Sequence, residues 1–182
     1  MTDKVYISPD KLRLQSYQLA SKCVDWKPDF IIALWRGGAP IGCAVHEFFK
    51  WCNLNVDHVA IRTSRYTGIG EASEQVQVHS LSYILDKLEP HHRVLLVDDV
   101  WDSGRTIEAV YAKFGNERRK QIRTACVYYK PKRNKLNYAP DYFVEETDEW
   151  LVFPHELEDM TLEEIETYRG TEVAKLLKKH KK

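Results

Sequence analysis

The segment VLLVDDVWDSGRT, Val94–Thr106, joins an apolar run to a pair of acids and a turn of small polar residues. The run Val94–Val97 predicts a buried strand, and the acid pair Asp98-Asp99 stands where that strand is expected to end. Ligands of open parallel sheets bind beyond the carboxyl ends of the strands, so we expect both acids at a ligand site. A solvated strand end is the alternative.

The turn Asp102–Thr106 has the composition of an anion cradle. Gly104 permits close approach of the backbone, and Ser103 and Thr106 add hydroxyl donors. The following helix N-terminus adds amide N–H groups and a partial positive charge, which Arg105 is a candidate to reinforce. The pattern GxxxxGK(S/T) is absent, so this is not a Walker loop. Cradle and acids together suit a sugar phosphate that carries a metal-bound pyrophosphate.

Apolar runs alternate with segments of helical periodicity along the rest of the chain. Strands are expected over Asp29–Trp35, Val56–Arg62, Val94–Val97 and Ile122–Tyr129. Helices are expected from Pro9 onward and over Ala39–Cys52, Leu81–Leu88 and Thr106–Phe114. The polar, aperiodic stretch Thr63–Gln77 predicts a long surface loop. This order predicts an α/β fold, with a mostly parallel twisted sheet flanked by helices.

Length and composition limit the classes of function. The 182 residues are expected to form one domain, with a core over about 25–130, a small hood lobe over about 131–160 and a C-terminal helix over 161–182. The 27 basic and 27 acidic residues balance, which argues against nucleic acid or a membrane as partner. Neither a membrane span nor a signal peptide is evident, so a cytoplasmic location is expected. The scattered cysteines predict buried free thiols.

The opening segment resembles the phosphoribosyl pyrophosphate (PRPP) motif of the type I phosphoribosyltransferases. In that motif a hydrophobic strand, two acids and a D-(S/T)-G-x-T loop occur in register. ALWRGGAPIG, Ala33–Gly42, resembles the pyrophosphate-binding loop of the 6-oxopurine branch, the hypoxanthine-guanine and xanthine-guanine enzymes. This resemblance implies that Arg36 and Gly37 bind pyrophosphate. In that branch the peptide before the basic residue, here Trp35–Arg36, can be cis, and the sequence leaves its state open. An ordinary strand-to-helix turn is the alternative.

Two further segments resemble the same branch. RTSRYTGIGEASE resembles the mobile loop that closes over the substrates, with Ser64, Arg65 and Tyr66 near its start. A disordered linker is the alternative there. VYYKPKR supplies Lys130, which matches the lysine that contacts the 6-oxo group of the purine.

The segment DEWLVFPHE resembles the base pocket of that branch. The resemblance implies that Trp150 stacks on the purine and that Leu151 binds it through the backbone. A core tryptophan is the alternative for Trp150. Glu156 is the candidate acid for holding a second Mg²⁺ through water, against a plain surface glutamate.

The resemblance implies a purine salvage enzyme. Its Mg²⁺-dependent reaction transfers phosphoribosyl from PRPP to guanine, xanthine or hypoxanthine, giving the nucleoside 5′-monophosphate and pyrophosphate. Asp98 and Asp99 then hold the ribose hydroxyls and the waters of the metal, residues 102–106 hold the 5′-phosphate, and Asp102 is the general base for the purine N7 proton. A homodimer or homotetramer is implied. The alternatives are a phosphoribosyltransferase for another base and a non-catalytic PRPP- or nucleotide-sensing regulator on the same fold.

Overall fold

The structure, a computed structural model, describes residues 4–65 and 76–180. The strands are β1 (Lys4–Tyr6), β2 (Phe30–Trp35), β3 (Asp57–Arg65), β4 (Val76–Val78), β5 (Val94–Trp101), β6 (Ile122–Tyr129), β7 (Tyr142–Glu146) and β8 (Trp150–Val152). The α-helices are α1 (Pro9–Cys23), α2 (Gly38–Trp51), α3 (Ser82–Leu85), α4 (Arg105–Phe114), α5 (Leu162–Arg169) and α6 (Thr171–His180). They fall into two compact units, residues 13–148 and the described parts of 1–12 and 149–182.

The larger unit is built on a six-stranded sheet in the order β4-β3-β2-β5-β6-β7. Four of its strand pairs are parallel, and only the β3–β4 pair is antiparallel within the described residues. The mostly parallel α/β sheet predicted from the sequence is therefore confirmed.

Strand β2, and β5 as far as Val97, are apolar without a break because both of their faces are covered. Phe30, Ile32 and Leu34 point to one face, into a core that α3 and α4 complete. Ala33 points to the other face, where a Cβ added to Gly42 of α2 would lie only 2.7 Å from the Ala33 Cβ. Continuous apolar runs are typical of parallel strands that are buried on both faces.

Strand β5 extends four residues beyond its predicted end at Val97 and includes the acid pair. Its pairing with β2 stops at Ala33↔Val97, but its pairing with β6 continues to Trp101↔Tyr129. Pairing with β6 therefore extends β5 beyond the two acids. Asp98 and Asp99 lie within the strand, at the point where it leaves β2.

Two other predicted boundaries were wrong. Thr63–Arg65, predicted as loop, continues β3 and pairs with Val76–Val78 as an antiparallel strand. The helix predicted over Leu81–Leu88 ends at Leu85, after which the chain tightens into i→i+3 bonds such as Lys87 N to Ile84 O at 3.0 Å. The Pro90 that follows disfavours a longer helix.

The segment predicted as a hood contributes β7 to the large sheet, where it pairs in parallel with β6. The cysteine prediction was correct only in part. All four thiols are free, but Cys43 and Cys52 are exposed while Cys23 and Cys126 are buried. The prediction rested on the apolar neighbours of each cysteine in sequence. Cys43, however, lies on the solvent side of α2, and Cys52 lies just after the end of that helix.

In the smaller unit β1 pairs in parallel with β8. Helix α5 begins with the capping box expected at Thr161 and Glu164, in which each side chain accepts the other's backbone N–H. Gly170, at φ 100°, separates α5 from α6. None of the helices in residues 4–65 and 76–180 has the length and apolar composition needed to cross a membrane.

The Glu164 carboxylate ties this unit together. It accepts hydrogen bonds from the Tyr6 hydroxyl and from Lys4 Nζ, the latter at 2.9 Å, in addition to the Thr161 backbone N–H. These donors, with Tyr6 first, lower the pKa of Glu164 from 4.5 to about 2.

We therefore predict that Glu164→Gln destabilises the protein at neutral pH. Because the folded-state pKa is depressed, the stabilisation by Glu164 is complete above 4.5 and is lost as pH falls through about 2. Urea unfolding of both proteins across this range should show the difference shrink as the pH falls. Glu163→Gln, which removes a charge from the same helical turn, is the control. An equal pH dependence in both variants would contradict the prediction.

Candidate active site

The candidate site lies at the switch point of the large sheet. From β2 the chain crosses to β3 on one side, whereas from β5 it crosses to β6 on the other. The segments that leave β2 and β5 therefore diverge and open a crevice at the carboxyl ends of these neighbouring strands. Arg36-Gly37 follows β2 and lies on one side of the crevice. Asp98–Thr106, which comprises the end of β5 and the turn after it, lies on the other side.

The glycine turn after β2 lies directly against β5. A Cβ on Gly37 would stand 2.1 Å from Asp99 Oδ2, and a Cβ on Gly38 would stand 2.3 Å from the Val97 carbonyl oxygen. Gly37 has ordinary helical dihedrals, φ −64° and ψ −37°, so close approach rather than conformation requires glycine there. The Trp35–Arg36 peptide, whose state the sequence left open, is cis.

The acid pair is held by the backbone that carries it. Asp98 Oδ1 accepts the Asp99 N–H at 3.0 Å, and Asp99 Oδ1 accepts the Val100 N–H at 2.7 Å. Burial, together with the negative charge of Asp99, holds the pKa of Asp98 well above its usual value. Two carboxyls in this environment favour a ligand that donates hydrogen bonds or brings a cation.

The turn after β5 forms the predicted cradle. Gly104 has φ 80°, and a Cβ there would lie 2.6 Å from Leu136 Cδ1. Helix α4 begins at the next residue, so its first amide N–H groups face the turn. An open cavity of about 380 Å³ lies here, lined by Val76, Asp102, Ser103, Arg105, Thr106, Lys132, Arg133 and Lys135.

Lys130 lies close to Asp102, the first residue of the cradle. Lys130 is buried, with 5% of its surface exposed, and its backbone N–H donates to the Trp101 carbonyl at 2.9 Å. Loss of solvent lowers the pKa of the Lys130 ammonium, and the negative charge of Asp102 opposes that effect. The Asp102 carboxylate accepts a hydrogen bond from Arg133 Nε at 2.8 Å.

Three cavity residues were missed in the sequence, Lys132, Arg133 and Lys135. They belong to the segment Lys130–Leu136, which we call the basic flap. A signal was present, because four of the six residues 130–135 are cationic. A run of charges is usually a solvated surface, and only the contacts of the flap with the cradle reveal its place.

The other predicted site residues belong to β3, to the smaller unit or to the part of the chain outside the described residues. Ser64 and Arg65 end β3, while Tyr66 lies outside the described residues. Trp150, Leu151 and Glu156 belong to the smaller unit. Trp150 is 50% exposed, so it is not a core residue, and Leu151 is paired with Val5. Glu156 accepts the Phe153 backbone N–H at 2.9 Å and so closes a local turn.

Comparison with known proteins agrees with this arrangement. The sequence profile of the phosphoribosyl transferase domain matches residues 6–160. The chain belongs to the phosphoribosyltransferase family. It is 30% identical to the xanthine-guanine phosphoribosyltransferase of Roseobacter denitrificans, over 92% of both chains.

Solved phosphoribosyltransferase structures share the fold. The purine phosphoribosyltransferase of Pyrococcus horikoshii superposes with a TM-score of 0.68 at 28% identity, covering 87% of this chain and 97% of its own. A hypothetical protein from Neisseria gonorrhoeae, solved with bound ppGpp, superposes with a TM-score of 0.72 at 23% identity, covering 95% and 98%. At that identity the second likeness shows the fold alone.

The Gly37 contact yields a test of the site's packing. Gly37→Ala should destabilise the protein by about 1–3 kcal/mol, the usual range for overpacking, because its Cβ overlaps the Asp99 carboxylate. In an Asp99→Ala background the overlap disappears, so the same substitution should be nearly neutral. Urea unfolding of the two single variants and the double variant measures this coupling. Equal losses in both backgrounds would show that the contact does not constrain Gly37.

Proposed function

We propose that this protein transfers the phosphoribosyl group of PRPP to guanine, xanthine or hypoxanthine, releasing pyrophosphate, and serves purine salvage. The observation that carries the proposal is the apposition of the Gly37 turn and the acid pair, 2.1 Å from a Gly37 Cβ to Asp99 Oδ2, beside the cradle. One crevice thereby offers binding groups for a pyrophosphate, a ribose and a phosphate. The named activity of the Roseobacter relative supports the choice of purine.

Each part of PRPP has matching groups in this proposal. The 5′-phosphate binds residues Asp102–Thr106, whose amides and hydroxyls lie at the start of α4. Asp98 and Asp99 accept hydrogen bonds from the ribose hydroxyls. Arg36 and Gly37 bind the pyrophosphate, for which the exposed Arg36 supplies positive charge. Ser64 and Arg65, at the end of β3, and the following Tyr66 are proposed to cover the bound substrates.

Asp102 is the proposed general base. As N9 of the purine bonds to C1′ of the ribose, the C1′–O bond breaks and pyrophosphate leaves with its electron pair. The N7–H bond of the purine breaks in turn, its proton passes to Asp102, and its electrons remain in the ring. Positive charge that develops on the ribose is stabilised by the fixed carboxylates of Asp98 and Asp99.

The donor set at the crevice fits Mg²⁺. Mg²⁺ is usually held by one or two carboxylates together with substrate phosphates and water, and the close pair Asp98-Asp99 supplies such carboxylates. No cluster of three or more His, Cys, Asp or Glu side chains suited to a metal occurs in residues 4–65 and 76–180. When bound, Mg²⁺ neutralises the charge of the leaving pyrophosphate. Glu156 is proposed to hold a second Mg²⁺ through water, in addition to its bond to Phe153.

Lys130 is proposed to select 6-oxopurines. Its ammonium donates to the 6-oxo group of the base, whereas the 6-amino group of adenine would leave it without an acceptor. A site built to bond one group rejects an analogue that lacks it by about 10⁴–10⁵. Trp150 stacks on the purine and Leu151 contacts it through the backbone in this proposal.

Incubation with PRPP and each base in turn tests the function. Guanine, xanthine or hypoxanthine should give nucleotide and pyrophosphate in equal amounts when Mg²⁺ is present. Adenine and the pyrimidine bases should give little, and removal of Mg²⁺ with a chelator should abolish turnover. Adenine used as well as guanine would refute the role of Lys130.

A nucleotide-sensing regulator on the same fold is the second candidate. The Neisseria protein, solved with ppGpp, is the observation that favours it. The two candidates differ in turnover, since a sensor binds PRPP or a nucleotide without forming product from any base. Clear PRPP binding without product from any base would therefore favour the sensor over the enzyme.

We predict that Asp102→Asn retains PRPP binding but loses most of its turnover. Asparagine keeps the size and the hydrogen-bonding capacity of the side chain but cannot accept the N7 proton. General-base assistance is typically worth about 10²–10⁴ in rate, which sets the expected loss in kcat. Calorimetric PRPP binding and steady-state kinetics measure the two effects separately. Near-normal turnover in this variant would show that Asp102 is not the general base.

Assembly and location complete the proposal. We propose a cytoplasmic homodimer or homotetramer that forms a single functional domain and acts on small molecules rather than on nucleic acid or membranes. The balance of 27 basic against 27 acidic residues supports the absence of such polyanionic partners.

A further inference from the structure

We propose that Arg133 is a positioning residue that orients the Asp102 carboxylate toward the purine. The inference rests on the proposed function, in which Asp102 is the general base. The contact itself is direct, since Arg133 Nε donates to Asp102 Oδ1 at 2.8 Å. Arg133 lies outside the PRPP motif, 31 residues further along the chain.

The backbone holds Arg133 beside Asp102. The Lys130 N–H donates to the Trp101 carbonyl at 2.9 Å, and the Lys135 N–H donates to the Ser103 carbonyl at 3.1 Å. These two bonds join the basic flap to the residues on either side of Asp102. Arg133 stands between the two flap residues that are bound, so its approach to Asp102 is fixed by main-chain contacts.

Side chains fix the flap further. Trp101 Nε1 donates to Asn134 Oδ1 at 3.0 Å, and Asn134 Nδ2 donates to the Tyr138 carbonyl at 2.8 Å. Leu136 lies against Gly104, where a Cβ would stand 2.6 Å from its Cδ1. Asn134, the residue after Arg133, is therefore anchored to Trp101, which directly precedes the cradle, and this restricts the positions that the Arg133 side chain can adopt.

The Asp102–Arg133 pair is better explained by function than by stability. The two side chains are 37% and 49% exposed, and ion pairs in such solvent contribute little to folding stability. A general base, by contrast, requires an ionised carboxylate whose accepting oxygen is correctly aimed. With Arg133 bonded to Oδ1, the orientation of Oδ2 is fixed, and Oδ2 is the oxygen that accepts the N7 proton.

Kinetics of Arg133 variants test this role. Arg133→Gln should lower kcat about tenfold, less than the loss at Asp102→Asn, because orientation is only part of the contribution of a general base. The KM for PRPP should rise no more than in Lys135→Gln, because both substitutions remove one positive charge from the same cavity. Arg133→Lys keeps the charge but lacks the planar guanidinium, so it should fall between wild type and Arg133→Gln. If Arg133→Gln does not fold, as judged by thermal unfolding, Arg133→Lys carries the test.

Lys135→Gln is the matched control. It removes the same charge from the same cavity and leaves the main-chain bond to Ser103 in place. For Lys135→Gln we expect a raised KM for PRPP and a nearly unchanged kcat, because the loss of a positive charge near the phosphate site weakens binding without affecting the general base. An Arg133→Gln variant with this same signature would overturn the proposal.

A double-mutant cycle decides whether Arg133 acts through Asp102. In the Asp102→Asn background, Arg133→Gln should cause no further loss in kcat. Equal losses in both backgrounds would overturn the inference and leave the proposed function standing. A wild-type protein that forms no nucleotide from any base would overturn the proposed function and, with it, the role of Arg133.

Discussion

The close approach of the Gly37-Gly38 turn to β5 is the constraint on which the rest of the site depends. A methyl group on Gly37 would overlap the Asp99 carboxylate at 2.1 Å, and one on Gly38 would overlap the Val97 carbonyl at 2.3 Å. With glycine at both positions, the first turn of α2 packs onto the strand that carries the acids. The two sides of the crevice are thereby held together as one structural unit.

Charge is separated along this crevice although the chain as a whole is neutral. Asp99 is buried and Asp98 is partly buried, and both lie within β5 at the point where it leaves β2. Burial beside Asp99 raises the pKa of Asp98. The cavity around the cradle is lined instead by Arg105 and the cations of the basic flap. A ligand with hydroxyls or a cation at one end and a phosphate at the other matches this gradient. The overall balance of 27 basic and 27 acidic residues conceals it.

Local patterns predicted the sheet and the capping box at Thr161, because each depends on residues near one another in sequence. The end of β5 was misplaced for the opposite reason. Acids usually mark the end of a buried strand, but pairing of Trp101 with Tyr129 continues the ladder, and that partner is distant in sequence. Arg133 was missed for the same reason. Its contact with Asp102, and that of Lys135 with Ser103, join segments that are distant in sequence, so a basic run alone does not indicate them.

Sheet topology explains why a partner for Asp102 should come from outside the motif. In a parallel sheet, the segments that follow neighbouring strands emerge side by side at the same edge. Strand β6 is the neighbour of β5, and the segment that follows β6 is the basic flap. Arg133 therefore reaches Asp102 because of strand order, and a search confined to the motif could not find it.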